Sequence, residues 1–343
     1  MDSPKLLTPT DWRDYELLDS GGFEKLERFG QWIVARPEPQ AMWNRSLPDG
    51  EWARADATFR REARSDERGE WVCNPRMPRQ WWVEYARGAM RLRMKLSLTA
   101  LKHVGLFPEQ AANWNFLYDN LLRMRGATMA DERSGGVGTA GDAAASGVDG
   151  LGAKSAEAVA ATGAENVSAG QQRPAAPLRV LNLFAYTGGA TLAAAAAGAE
   201  VTHVDSVKQV VGWARENATE NGLENIRWIV DDAMKFARRE VARGRTYHAI
   251  VLDPPAYGRG PDGEKWVLEQ NINELLTHCA RLLEPHNSLL ILNLYSMGLS
   301  ALLAKGLVNQ IVGPAATEEF GELYFADRSA KPLPLGIYYR MTR

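Results

Sequence analysis

From residue 178 to residue 343, short strand-like runs alternate with helix-like stretches, and this alternation restricts the fold more than any other feature of the chain. The strand-like runs are Val180–Leu183, Val201–Val204, Arg227–Val230, Ala249–Leu252 and Leu289–Leu294. Between them, Thr191–Ala197 is alanine-rich and stops at Gly198, a suitable residue for closing a helix. Val207, Val211, Ala214 and Ala218 fall on one face at helical spacing. Trp266 to Leu283 reads as one long amphipathic helix ending before Pro285. Two more strand-like runs, Leu323–Phe325 and Gly336–Arg340, flank a link containing Pro332 and Pro334. They are expected to form an antiparallel pair at a sheet edge. The expected fold class is therefore α/β: five parallel strands plus an antiparallel C-terminal pair.

The upstream chain has a different texture. Residues 11–95 read as mostly β, with runs such as Lys25–Phe29, Gln31–Ala35, Trp81–Tyr85 and Arg91–Leu96 between Gly, Pro and Asp clusters. Arg87-Gly88 is expected to be a hairpin turn. Eight of the eleven tryptophans lie in residues 1–126 and are expected in the core, a base-stacking platform being the sharper alternative. Residues 127–177 contain 15 Ala, 9 Gly, 4 Ser and 3 Thr and no aromatic residue. Such a segment buries too little apolar surface to offset its ordering entropy and is expected to be disordered. The expected organisation is a small β-rich domain at 1–96, a cofactor-closing segment and helix at 97–126, the insertion at 127–177 and the α/β domain at 178–343.

Four strand ends carry chemistry. Leu181-Asn182-Leu183-Phe184-Ala185-Tyr186-Thr187-Gly188-Gly189 runs from a strand through paired glycines into a helix, at the end of the sheet where ligands bind. It is not G-x-G-x-x-G, so a dinucleotide pyrophosphate is a poor candidate. Asp205 ends the second strand 17 residues after Gly188, where a carboxylate can accept both ribose hydroxyls or cap the next helix. Asp232, after the third strand, can accept from an exocyclic adenine amine or cap a helix. Leu252-Asp253-Pro254-Pro255-Ala256-Tyr257 follows the fourth strand, and its two prolines stiffen a loop whose carbonyls can aim at a flat acceptor.

Together these motifs resemble the class I S-adenosylmethionine-dependent methyltransferases, in particular the bacterial 23S rRNA large-subunit methyltransferase group with an Asp-Pro-Pro motif. The resemblance covers residues 178–343. It extends upstream to about 90–118, through Leu98-Thr99-Ala100-Leu101-Lys102-His103-Val104-Gly105-Leu106-Phe107-Pro108-Glu109-Gln110, similar to a Lys-Thr-Gly-x-Phe-x-Asp-Gln stretch of that group. His103 stands where the group has Lys, and no role is assigned to it. The resemblance implies S-adenosylmethionine as cofactor and a Rossmann-like sheet. It implies that Asn182, Phe184, Ala185, Tyr186 and Gly188 line the methionine part, that Asp205 holds the ribose, and that Asp232 faces the adenine. Phe107 and Gln110 would touch the cofactor. Asp253, Pro254, Pro255 and Tyr257 would position the acceptor, with RNA as partner.

One departure bears on the chemistry. Covalent C5 methylation of cytosine needs a thiolate, yet the loop Tyr295-Ser296-Met297-Gly298 and position Ala256 hold no cysteine. Cys73 and Cys279 are expected to be structural thiols, and they are too few for a cysteine-built metal site; no metal is expected. The favoured reading is a methyltransferase acting on an RNA base without a cysteine nucleophile. Cytosine-C5 methylation, a small-molecule or protein acceptor, and a cofactor-binding protein without catalysis are the alternatives. With 40 Lys+Arg against 42 Asp+Glu, bulk charge does not hold the RNA. Residues 45–94, with 11 Lys/Arg against 8 Asp/Glu, offer a weak surplus. No apolar run of about 18 residues occurs, and the first residues lack a signal-peptide pattern, so a cytoplasmic protein away from membranes is expected.

Overall fold

The computed structural model describes residues 3–62, 68–134, 176–295 and 298–343, the side chains of 127–134 excepted. Of the insertion expected to be disordered at 127–177, residues 127–134 instead continue a helix, and 135–175 lie outside the described residues. Residues Met1–Met124 and Pro177–Arg343 make up one compact unit.

The N-terminal half begins with β1 (Lys5–Leu7), then β2 (Tyr15–Gly21), β3 (Glu24–Phe29), β4 (Trp32–Pro37), the short helix α1 (Asp49–Trp52), β5 (Ala57–Arg61) and β6 (Gly69–Cys73). Strands β2 to β6 form one sheet in sequence order. A separate hairpin follows, β7 (Gln80–Arg87) and β8 (Met90–Ser97), turning at Gly88. Its alternation is clean: Met90, Leu92, Met94 and Leu96 are buried, while Arg91 and Arg93 are exposed. A 3₁₀ turn at Pro108–Gln110 leads into α2 (Ala111–Ser134). Trp52, Trp71, Trp81 and Trp114 are buried, and Trp12, Trp32 and Trp43 pack partly buried against the core.

The second half runs β9 (Arg179–Leu183), α3 (Gly189–Ala196), β10 (Glu200–Asp205), α4 (Lys208–Glu220), β11 (Ile226–Val230), α5 (Ala233–Ala242), β12 (Ala249–Leu252), the pair β13 (Tyr257–Arg259) and β14 (Lys265–Val267), α6 (Leu268–Leu282), β15 (Leu289–Leu294), α7 (Ala301–Ile311), β16 (Thr317–Ala326) and β17 (Pro332–Thr342). The large sheet is ordered β1-β16-β17-β15-β12-β9-β10-β11. Strands β15, β12, β9, β10 and β11 are parallel, and β17 and β16 run antiparallel at the edge. β9, β12 and β15 are almost continuously buried, as strands covered on both faces must be.

Four details differ from the sequence expectation. Pro332 and Pro334, read as part of the link between the edge strands, are themselves in β17, opposite Ala326 and Tyr324. The N-terminal β1 adds an eighth strand beside β16, which three residues of mixed polarity do not announce. Helix α7 fills the crossover between β15 and β16. The stretch read as one helix from Trp266 instead starts as β14, and α6 begins only at Leu268. Lys265-Trp266-Val267 pairs back on Tyr257–Arg259, and the Val267 N–H is taken by Asn271 Oδ1 at 2.8 Å. Cross-strand pairing, invisible to helical periodicity, decides those three residues.

Candidate active site

The site forms where β9, β12 and β15 end together. Each is an apolar strand interrupted or followed by a polar residue: Asn182 in β9, Asp253 just after β12, and Asn293 in β15. Parallel register sets Asn182 opposite Val251 and Leu292 opposite Leu252, bringing Asn293 level with Asp253. Asn293 Nδ2 donates to Asp253 Oδ1 at 2.8 Å. That bond holds the carboxyl down, but enclosure outweighs it and pushes the Asp253 carboxyl up to about 6. The remaining amide oxygen, Asn293 Oδ1, is buried without a partner among the described residues. Such an acceptor is costly unless a ligand supplies a donor.

The turn after β9 is bent against its side chains. Phe184 and Tyr186 adopt left-handed φ of 57° and 50°, and Gly188 follows at 94°. Non-glycine residues held there cost on the order of 1–3 kcal/mol each and persist only where surrounding contacts fix them. Asp205 supplies such contacts: Oδ2 accepts the Tyr186 N–H and Oδ1 the Val207 N–H, both at 2.9 Å. The Ala185 N–H is held by the Val204 carbonyl at 3.0 Å. Asp205 is nevertheless shifted upward, because burial outweighs the N–H donors that favour its charged form. Gly189 starts α3 with no room for a side chain, since a Cβ would lie 2.3 Å from the Trp114 ring.

The segment before α2 closes the site. Gly105 has φ 98°, and a Cβ there would lie 2.2 Å from Trp213. Its carbonyl accepts from Thr187 Oγ1 at 2.7 Å, while Asn217 Nδ2 donates to the Thr187 carbonyl at 2.9 Å. This pins residues 103–110 to the turn, so Phe107 meets Tyr186 with ring centroids 5.4 Å apart.

Of the residues expected to meet the cofactor, Phe107, Gln110, Asn182, Phe184, Ala185, Tyr186 and Gly188 line one cavity, and Asp253 shares it. Asp205 stands behind its wall through the Tyr186 bond. Asp232 does not line it; it is the N-cap of α5, its Oδ1 accepting the Lys235 N–H at 2.9 Å. Pro254, Pro255 and Tyr257 lie beyond its rim, with Pro254 buried and Tyr257 exposed. The lining also includes Asn113, Trp114, Thr187 and Asn293, which sequence reasoning did not single out. Asn293 had a signal, a lone amide in the apolar run Leu289–Leu294, just as Asn182 breaks Arg179–Leu183.

Residues 167–311 match the family described as S-adenosylmethionine-dependent methyltransferase. The crystal structure of a SAM-dependent methyltransferase from Agrobacterium tumefaciens superposes with a TM-score of 0.78 at 33% identity, covering 99% of this chain and 94% of that one. The chain belongs to the S-adenosylmethionine-dependent methyltransferases. The structure of SMU.776 complexed with SAH, 15% identical with a TM-score of 0.63 over 97% of this chain and 76% of that one, shares the fold. Among curated relatives, ribosomal RNA large subunit methyltransferase I of Photobacterium profundum is 34% identical over 155 residues, 44% of this chain. Ribosomal RNA large subunit methyltransferase K/L of Shewanella frigidimarina is 34% identical over 118 residues, 33% of this chain. The matched regions span 37% and 16% of those two relatives.

The residues of this methyltransferase fit its cofactor. The start of α3 offers N–H groups to a carboxylate. The Asp253 carboxyl and the orphan Asn293 Oδ1 suit cationic or N–H-bearing groups, and the Phe107 and Tyr186 rings provide an apolar wall. No group of three or more His, Cys, Asp or Glu residues that could hold a metal occurs among the described residues. Among the same residues, no helix is long and apolar enough to cross a membrane.

Proposed function

We propose that this methyltransferase methylates a base in RNA, on the pattern of a ribosomal RNA substrate, without a cysteine adduct. The observation that carries the reading is the Asp253–Asn293 pair on the floor of the cavity that also holds the Gly188 turn. The cofactor supplies a sulfonium methyl group. Asp253 stands where the acceptor must approach it, and Pro254-Pro255 fixes the loop that presents the acceptor. A carboxyl poised near 6 can take the proton that an acceptor nitrogen loses as its new N–CH₃ bond forms and the S–CH₃ bond breaks. Phe107, Gln110 and the β9 turn, which line the cavity, would hold the cofactor, with Asp205 and Asp232 at the neighbouring strand ends as its proposed ribose and adenine contacts. RNA as acceptor is supported by relatives named as ribosomal RNA methyltransferases and by the Asp-Pro-Pro-x-Tyr sequence.

No thiol lines the cavity. Cys279, on the buried face of α6, is fully enclosed in the core, and burial pushes its thiol up to about 12. Cys73 ends β6 in the N-terminal sheet.

The test is transfer of labelled methyl groups to ribosomal and transfer RNA from cells lacking the protein, followed by mass spectrometry of the nucleosides. One methylated base is expected, and the rate should climb as pH rises through about 6 and lose that step in Asp253→Asn. Label appearing in protein or small molecules but not in RNA would overturn the reading.

A further inference from the structure

Directly after Asp253-Pro254-Pro255 the chain makes the β13–β14 hairpin, whose two faces differ sharply. Tyr257 pairs with Val267, Gly258 with Trp266, and Arg259 with Lys265. Strand alternation puts Gly258 and Trp266 on one face and Tyr257, Arg259, Lys265 and Val267 on the other. The inner face is fastened to the site. Trp266 is buried, its Nε1 donates to the Pro255 carbonyl at 2.7 Å, and its ring lies 4.9 Å from that of Phe184 in the cavity wall. The hairpin therefore takes its position from both the acceptor loop and the cofactor turn.

The outer face is unsatisfied. Tyr257 is 53% exposed. Arg259 and Lys265 are exposed and sit directly opposite each other, where like charges repel. Neither side chain has a hydrogen bond, ion pair or ring contact among the described residues. The acids of the hairpin loop do not offset them, because Asp262 and Glu264 both pair with Lys235 of α5. A sheet face that keeps two opposed cations beside a free aromatic ring has the chemistry to take phosphates and the face of a base. An acidic peptide would satisfy the cations and leave the ring unused.

We infer that the β13–β14 hairpin docks the backbone of the acceptor RNA, Arg259 and Lys265 holding phosphates beside the target nucleotide while Tyr257 stacks on an unpaired base. The inference rests on the RNA reading above and adds to it the element that grips the strand.

The experiment is fluorescence anisotropy of a short labelled single-stranded RNA of mixed sequence, titrated with the full chain at several salt concentrations. Cofactor affinity is measured in parallel by calorimetry. Arg259→Gln/Lys265→Gln should bind the RNA roughly 5- to 10-fold more weakly at low salt, as two exposed ion contacts are lost. Its slope of log affinity against log salt should be shallower by about 1.4, the loss of two single-strand phosphate contacts. Cofactor affinity should stay unchanged, and Arg76→Gln/Arg281→Gln, which removes the same charge from exposed positions elsewhere, should leave the slope as it was. Wild-type binding with an unaltered slope in the hairpin variant overturns the hairpin's role while leaving the RNA reading intact. An acidic peptide that binds the wild type and loses binding in the hairpin variant, with RNA binding unaffected, also overturns it. A wild-type chain that holds the cofactor but no RNA brings down both readings.

Discussion

The N-terminal β region and the large sheet bury different things. The strands of the parallel sheet enclose aliphatic side chains, with Asn182, Thr202, His203 and Asn293 as their few buried polar residues. The N-terminal region encloses charges. Arg36 binds Glu27 through Nε at 2.5 Å and Nη2 at 3.0 Å; Tyr15 donates to Glu27 at 3.0 Å, and Lys25 reaches Glu38 at 3.2 Å. Tyr295, two residues beyond Asn293, donates to Glu38 at 2.9 Å. An apolar interior tolerates truncation at the cost of a cavity, about 2–5 kcal/mol for a large aliphatic residue. A charged interior is an all-or-nothing network, because removing one partner leaves an uncompensated ion. The two regions should therefore respond in opposite ways to single and paired changes.

The largest effect is expected there. Arg36→Ala should destabilise by about 3–5 kcal/mol in urea unfolding, since Glu27 loses its hydrogen-bonded cation and is left buried with only Lys25, 3.7 Å away, to offset its charge. Replacing both partners, Glu27→Leu with Arg36→Met, should recover much of that loss. Equal loss in the single and double variants would show that this interior is packed like the sheet. The pair also predicts acid sensitivity. Its cations hold the Glu27 carboxyl below the ordinary carboxylate range despite burial. Its stabilising contribution is present above the unfolded value and disappears as pH falls through the folded one.

Glu109 sharpens the contrast with the opposite sign. It is buried beside the same cluster, and burial pushes it up to about 7, further than Lys25 and Arg36 can lower it. An acid raised in the folded state is neutral in both states below about 4.5, so it imposes no cost there. Between that value and about 7 the unfolded chain ionises first, and stability falls as pH rises. Glu109→Gln should thus stabilise the protein by about 2–3 kcal/mol at pH 8, the gain vanishing near pH 4. A constant difference across that range would mean that Glu109 is ionised normally.

At the sheet ends the expected effects fall on binding rather than folding. Asp205→Ala removes the acceptor of the Tyr186 and Val207 N–H groups as well as the proposed ribose contact. Affinity for the cofactor should drop roughly 10- to 100-fold, as for loss of a charged hydrogen-bonding group of about 1.5–3 kcal/mol. Unchanged affinity by calorimetry would reduce Asp205 to a turn-fixing residue.

These contrasts explain what could be read before the fold was known. Val180–Leu183, Ala249–Leu252 and Leu289–Leu294 are recognisable because strands buried on both faces leave unbroken apolar runs. Asn182, Asp253 and the Gly188 turn were legible because strand ends of such sheets are where ligands bind. The remainder depends on neighbours far away in sequence. Trp266 looks helical until its pairing with Gly258 is known. Gly105 reads as an ordinary loop glycine until Trp213 occupies the space beside it. Lys25, Glu27, Arg36 and Glu38 alternate in sign as an exposed strand would, and only their long-range partners show that they are interior.

The smallest effect expected is on catalysis through either thiol. A nucleophile must come within about 3–3.5 Å of the carbon it attacks. Cys279 packs with Leu275, Leu276 and Leu282 in the apolar core on the α6 side of the sheet, with no exposure to solvent. Its thiol, pushed up to about 12, carries almost no thiolate at neutral pH. Cys73 pairs with Ala57 across the edge of the N-terminal sheet, and neither cysteine lines the cavity. Cys73→Ser with Cys279→Ser should therefore leave the methyl-transfer rate within about twofold. The same double change should still cost on the order of 1–3 kcal/mol in stability, because a serine hydroxyl at 279 enters surroundings with few acceptors. That split, stability lost and rate kept, is what an apolar interior imposes on a thiol with no chemical role. RNA carrying 5-fluorocytosine provides the matching trap. A covalent band on a denaturing gel that vanishes in the double variant would place a thiol at the acceptor after all.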